Sequence, residues 1–169
     1  MNLITTLFSA IIIFLSACNS NNSSVNEEPI NVEEAKAWTK KNLETFFNDK
    51  EGDLEWLKSI CTDRYYEYKL DAMQAAFDWD EEEATVVKLD TKWGDYFKNH
   101  QQAMYSGFFI SAQDWTHIEI ESISKEKHWK DKVQFGIELL DTGFNAVYPI
   151  KVTVQKTDGK LLISNIIEN

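Results

Sequence analysis

Val133-Gln134-Phe135-Gly136-Ile137-Glu138-Leu139, then Ala146-Val147-Tyr148-Pro149-Ile150-Lys151-Val152-Thr153-Val154, then Leu161-Leu162-Ile163-Ser164-Asn165-Ile166-Ile167: these three runs close the 169-residue chain. In the first two, apolar residues alternate with more polar ones, and β-branched and aromatic side chains dominate. A period of two of this kind marks half-buried antiparallel strands. The third run starts the same way at Leu161 and Ile163 and ends on Ile166 and Ile167. Asp141-Thr142-Gly143 and Thr157-Asp158-Gly159 separate the runs and supply the residues that tight turns need. Pro149 has no N–H to give to a ladder, so it predicts an edge or a bulge. A sheet built this way has one apolar face and needs a cover.

The cover lies upstream. Asn31-Val32-Glu33-Glu34 reads as a helix start, with Asn31 as the cap and Glu34 placed to complete a capping box. Ala35, Trp38, Leu43, Phe46 and Phe47 follow at roughly helical spacing, and residues 48–53 interrupt them. A second helix is expected from Asp53 through Leu54, Leu57, Cys61, Tyr65 and Tyr68, as far as Phe77. Residues 84–89 fit either a short strand or the end of a loop. Asp95 to Tyr105 reads as a third, short helix ended by Ser106-Gly107. His117 to Ile123 alternates and predicts the first strand of the sheet, with Ser124 to Lys127 turning the chain back. The expected fold is α+β: one domain over residues 31–169, with N-terminal helices packed on a curved antiparallel sheet.

Residues 1–17 read as a leader. Leu3 to Leu15 is apolar, too short to span a membrane comfortably and of signal-peptide length. No Lys or Arg precedes it, which departs from the usual leader and leaves an uncleaved anchor as the alternative. The run ends in Leu15-Ser16-Ala17-Cys18, which resembles the bacterial lipobox. That resemblance implies that Cys18 is acylated and becomes the new N-terminus. Three acyl chains, at roughly 0.8 kcal/mol per buried methylene, make an effectively permanent anchor. Asn19, where an Asp holds enterobacterial-type lipoproteins at the inner membrane, implies the outer membrane and its periplasmic face. Residues 18–30 form the lipidated cysteine and a polar linker, expected to be disordered. With Cys18 taken by lipid, Cys61 has no disulfide partner; its apolar stripe predicts burial rather than catalysis.

The composition is 43% hydrophobic and 13% aromatic, enough for a packed core. The formal net charge is -11, and the first charged residue is Glu27. Such a body disfavours nucleic acid and anionic lipid and favours a basic protein partner. Membrane contact is then expected through the lipid anchor alone.

The order helix, helix, short helix, antiparallel strands resembles the cone-shaped fold named after nuclear transport factor two. Residues 158–166 resemble its closing strand, with Leu161 where a Trp is frequent. Phe108-Phe109-Ile110-Ser111-Ala112-Gln113-Asp114-Trp115 resembles a segment ahead of the sheet in a bacterial domain of unknown function found in small envelope lipoproteins. The resemblance implies a conical cavity, which some relatives use for acid–base catalysis, and allows pairing of two copies through the open sheet face. Tyr65, Asp114, Trp115, Phe135 and Tyr148 are the residues expected to line such a cavity. Tyr68, His100, His117 and His128 complete the titratable candidates.

Nothing in the spacing of these residues makes them converge on a reacting atom. No serine-nucleophile motif, zinc spacing or phosphate loop is present, so no metal and no cofactor is expected. Asp78-Trp79-Asp80-Glu81-Glu82-Glu83 is acidic, but a calcium loop starting at Asp78 would have Glu83 where Gly is needed and Leu89 where Glu is needed. The run reads instead as a candidate partner-binding loop, with Trp79 as its anchor. The expected function is non-enzymatic: a lipid-anchored periplasmic binding protein, most specifically an immunity protein against a basic secreted toxin. An accessory subunit of an envelope complex is the alternative, and a small-ligand or enzymatic cone comes after it.

Overall fold

The computed structural model describes residues 28–77, 82–111 and 114–169. Five helices precede four strands: α1 (Val32–Asp49), α2 (Leu54–Ile60), α3 (Asp63–Ala75), α4 (Glu82–Trp93), α5 (His100–Tyr105), β1 (Ile118–His128), β2 (Lys132–Asp141), β3 (Ala146–Thr157) and β4 (Lys160–Glu168). The strands form one antiparallel meander in the order β1-β2-β3-β4. The α+β class and the helix-then-sheet order expected from the sequence are both present.

The period-two runs explain the core. Val133, Phe135, Ile137 and Leu139 stand opposite Val154, Val152, Ile150 and Tyr148 in register, so one face of the central strands is continuously apolar. β4 adds Ile163 opposite Val154 and Ile166 opposite Val152. An even spacing would put Ile163 and Ile166 on opposite faces. A register shift at Ser164 returns both to the core side, as a bulge does. This face packs on Leu43, Phe46 and Phe47 of α1, Leu57 and Ile60 of α2, and Tyr65, Tyr68 and Ala72 of α3. Asn31 caps α1 by accepting from the N–H groups of Glu33 and Glu34, as its position predicts.

Each sheet edge is covered in part. Along β1, Asn48 of α1 donates to the Ile118 carbonyl and accepts from its N–H, and Glu44 accepts from the Ile120 N–H. Along β4, Cys61 pairs with Ile163 in parallel, and the Thr62 N–H donates to the Ile163 carbonyl at 2.8 Å. Unpaired edge groups invite association, and here helix-layer residues satisfy several of them.

That edge contact breaks the long second helix expected from Asp53 to Phe77. Cys61 and Thr62 are extended, and the Thr62 hydroxyl caps α3 by accepting from the Tyr65 N–H. Residues 84–89 belong to α4, whose Thr85, Leu89 and Trp93 are buried at four-residue spacing. The third helix starts at His100 rather than Asp95, because Gly94 ends α4 and Asn99 takes a left-handed conformation (φ 58°). Ser124 to Lys127 are strand, not turn; the chain reverses at residues 129–131, closed by the Trp129 N–H on the Lys132 carbonyl. Pro149 marks neither an edge strand nor a bulge. Its carbonyl faces β4 and accepts from Asn169 N–H, so its nitrogen also points to that side, where β4 has just ended.

Cys61 is buried and unpaired, as expected, and burial pushes its thiol pKa to about 12. Among the described residues no helix is long and apolar enough to cross a membrane.

Candidate functional site

The residues nominated as a pocket are spread from the core to its rim. Tyr65 and Phe135 are fully buried, and the Tyr65 hydroxyl donates to the Phe108 carbonyl at 2.8 Å. Trp115 is half-buried and donates its indole N–H to the Phe47 carbonyl. Tyr148 is half-buried and Asp114 exposed. Phe46, Phe47, Phe109 and Trp115 meet edge to face. Cys18 and the run Asp78, Trp79, Asp80 and Glu81 lie outside the described residues. Glu82 opens α4, and Glu83 is exposed on it.

Of the titratable candidates, the fold brings Tyr68 and His100 together. The Tyr68 hydroxyl lies 3.1 Å from His100 Nδ1, and His100 Nε2 lies 3.3 Å from an Asp90 carboxylate oxygen. Burial pushes the Tyr68 pKa to about 12. The Tyr68–His100 hydrogen bond ties α3 and α5 into one unit, while His100 Nε2 is buried without a hydrogen-bond partner. His117 and His128 are exposed near the two ends of β1.

A polar cleft sits beside this unit, where α3 and α5 meet β4. It holds about 120 Å³ and is lined by Lys69, Tyr96, Gln102, Ser106, Asn165 and Glu168 among others. That volume suits a few waters, since each takes about 30 Å³, and is well below the roughly 300 Å³ at which small-molecule pockets begin. Tyr96 and Asn165 also line a shallower groove of about 390 Å³ with Arg64, Gln155 and Ser164, within the range of small-molecule sites, and the Arg64 guanidinium stacks 4.0 Å above the Tyr96 ring. The two together form a furrow along the β4 edge.

Lys69 is the unexpected member. It is only 3% exposed, and its ammonium donates to the Ala103 carbonyl and the Ser106 hydroxyl, closing the end of α5. Burial lowers its pKa to about 8, and the Glu168 carboxylate, which accepts from the Ser111 N–H and hydroxyl, partly offsets this. The helical stripe Tyr65, Tyr68, Ala72 and Ala75 already contains position 69, which is the signal that would have predicted its burial.

The sign of the linkage follows. The unfolded chain holds the Lys69 proton to about pH 10.5, whereas the folded chain releases it near pH 8. Unfolding free energy therefore gains a rising contribution between those values. The Lys69→Met variant lacks that rise in urea titrations from pH 7.5 to 9.5. Parallel profiles for the two proteins would show that Lys69 keeps its proton throughout.

Among the described residues no three or more His, Cys, Asp or Glu side chains group as a metal site. Compared with protein-family models, curated proteins and solved structures, the chain matches none.

Proposed function

We propose that the chain is a lipid-anchored binding protein of the bacterial envelope, most specifically an immunity protein that neutralises an envelope-delivered toxin. The observation that carries this reading is the acidic surface of the helical layer, where Asp63, Glu67, Glu83 and Asp90 are exposed. That surface is unevenly charged. From Asp63 to Asp95 the chain carries ten acidic and four basic residues, which suits a basic partner. The helix-then-sheet order supports reading the fold as a nuclear-transport-factor-two-like cone. Cys18 supplies the anchor, and the lipobox supports that assignment.

The test uses the full-length lipoprotein. Fatty-acid labelling that disappears in Cys18→Ala reports the anchor. Affinity capture from secreted and envelope fractions reports the partner. A stoichiometric secreted toxin, from which expression of the chain protects cells, is the expected result. Charge reversal at the exposed Asp63, Glu67 and Glu83 is expected to weaken both capture and protection. A resident envelope assembly captured under every condition would replace immunity with an accessory role.

A further inference from the structure

The sequence is acidic overall, yet the meander gathers lysines at one end of the sheet. In a four-strand meander the β1–β2 and β3–β4 turns fall at the same end. Here the Lys156 N–H donates to the Asp131 carbonyl at 2.8 Å, so the two turns are neighbours. Lys125, Lys127, Lys130, Lys132, Lys156 and Lys160 lie on or beside them. Among the described residues none of the six has an acidic partner within ion-pair distance. The acids on these segments are Glu126, Asp131 and Asp158, and Glu126 is neutralised by Lys151 at 3.3 Å. Trp129, at the β1–β2 turn, is 46% exposed.

The chain also enters the domain here. The Ile30 N–H donates to the Lys130 carbonyl at 2.9 Å, which fastens the start of the helical layer to the basic turn. Eleven residues separate Cys18 from Ile30, a span of at most about 40 Å when fully extended. Of the two ends of the sheet, the basic one is therefore the end at which the tether joins the domain. Glu28, Glu33 and Glu34 flank the entry point, so the positive charge forms a stripe along the strand turns rather than a whole face.

We propose that this end of the sheet is the membrane-facing surface of the domain. Trp129 seats at the headgroup level, and the lysines of the two turns contact anionic phospholipid. The inference rests on the Cys18 anchor for its geometry. Amphipathic aromatic rings favour the interface, and lysines near an anionic surface attract it within a Debye length of about 8 Å. The rest of the domain, which bears the whole negative excess, is repelled from the same surface. The lipid fixes where the protein is; the basic turns fix which way it stands, presenting the acidic helices away from the bilayer.

The experiment places the full-length protein with phosphatidylglycerol vesicles and with phosphatidylcholine vesicles, and reads flotation and amide hydrogen exchange. Flotation with phosphatidylcholine reports the anchor alone. The proposal expects residues 124–132 and 156–160 to exchange more slowly on phosphatidylglycerol than on phosphatidylcholine, with the difference erased by high salt. A Lys125→Glu, Lys127→Glu, Lys130→Glu variant is expected to lose that protection, with unchanged exchange in β2 and β3 showing that it folds. In the unacylated Cys18→Ala chain the same reversals are expected to weaken partition into phosphatidylglycerol by about a hundredfold or more. Equal exchange of the two turns on both vesicles overturns the proposal. Should the wild-type chain fail to float on phosphatidylcholine, the anchor assignment falls by itself. Flotation on phosphatidylglycerol would then still support the basic surface, and its absence would overturn it.

Discussion

Phe135→Ala is expected to lower the unfolding free energy by about 3–5 kcal/mol, read as an earlier urea midpoint with an unchanged slope. Phe135 has no exposed surface and sits in β2, with Val152 of β3 opposite in register. It stands at the middle of the apolar face that the helices cover. Removing the ring forfeits its transfer free energy and leaves a cavity walled by a rigid strand ladder on one side. The sheet cannot close that space without moving its register partners, so relaxation must come from the helices. Phe135→Leu keeps most of the volume and should lose less than about 2 kcal/mol. Typical domains hold only about 5–15 kcal/mol in total, so the alanine variant removes a large share. Equal losses in the two variants would mean that ring volume is not what the site uses.

The second large effect concerns Asp141, the last residue of β2. Its side chain is fully buried and accepts four hydrogen bonds: from the Thr116 N–H and hydroxyl, and from the N–H groups of Gly143 and Phe144. One carboxylate thus shapes the β2–β3 turn and pins the segment entering β1 against it. These bonds, led by the Thr116 hydroxyl, outweigh desolvation and lower the pKa to about 2 from the ordinary 3.8. Because the folded value is depressed, the contribution is fully present above about pH 4. It is lost as the pH falls toward 2. Asp141→Asn replaces one acceptor oxygen with a donor and cannot serve the same N–H groups. The variant should be less stable at neutral pH and should show a shallower loss between pH 4 and 2. Superimposable acid limbs for the two proteins would remove Asp141 from the account of acid unfolding.

How much of this was legible in the sequence depends on the range of the interaction. The strands were readable because a period of two is local and strong, and Asn31 because a cap is settled within four residues. The α2–α3 break was not, since Leu57, Cys61, Tyr65 and Tyr68 all belong to the core on either side of it. What separates the helices is a backbone pairing with Ile163, and no local pattern announces a partner that distant. Helix α4 was obscured by Thr85, a polar residue in the first slot of a buried stripe. The basic end of the sheet is only partly visible in Lys125 to Lys132, where four lysines are interleaved with Glu126 and Asp131. It becomes a surface only when the meander brings Lys156 beside Asp131.

The pairing of Cys61 with Ile163 has a consequence in time. It closes a loop of about a hundred residues, at an entropic cost of roughly 4 kcal/mol, between the α2–α3 junction and β4. A nascent chain that still lacks β4 has helices α2 and α3 without the strand their junction rests on, and a sheet with β3 bare at its edge. Non-local closure of this kind is slow compared with helix pairing, so the α2–α3 junction is expected to settle late in folding.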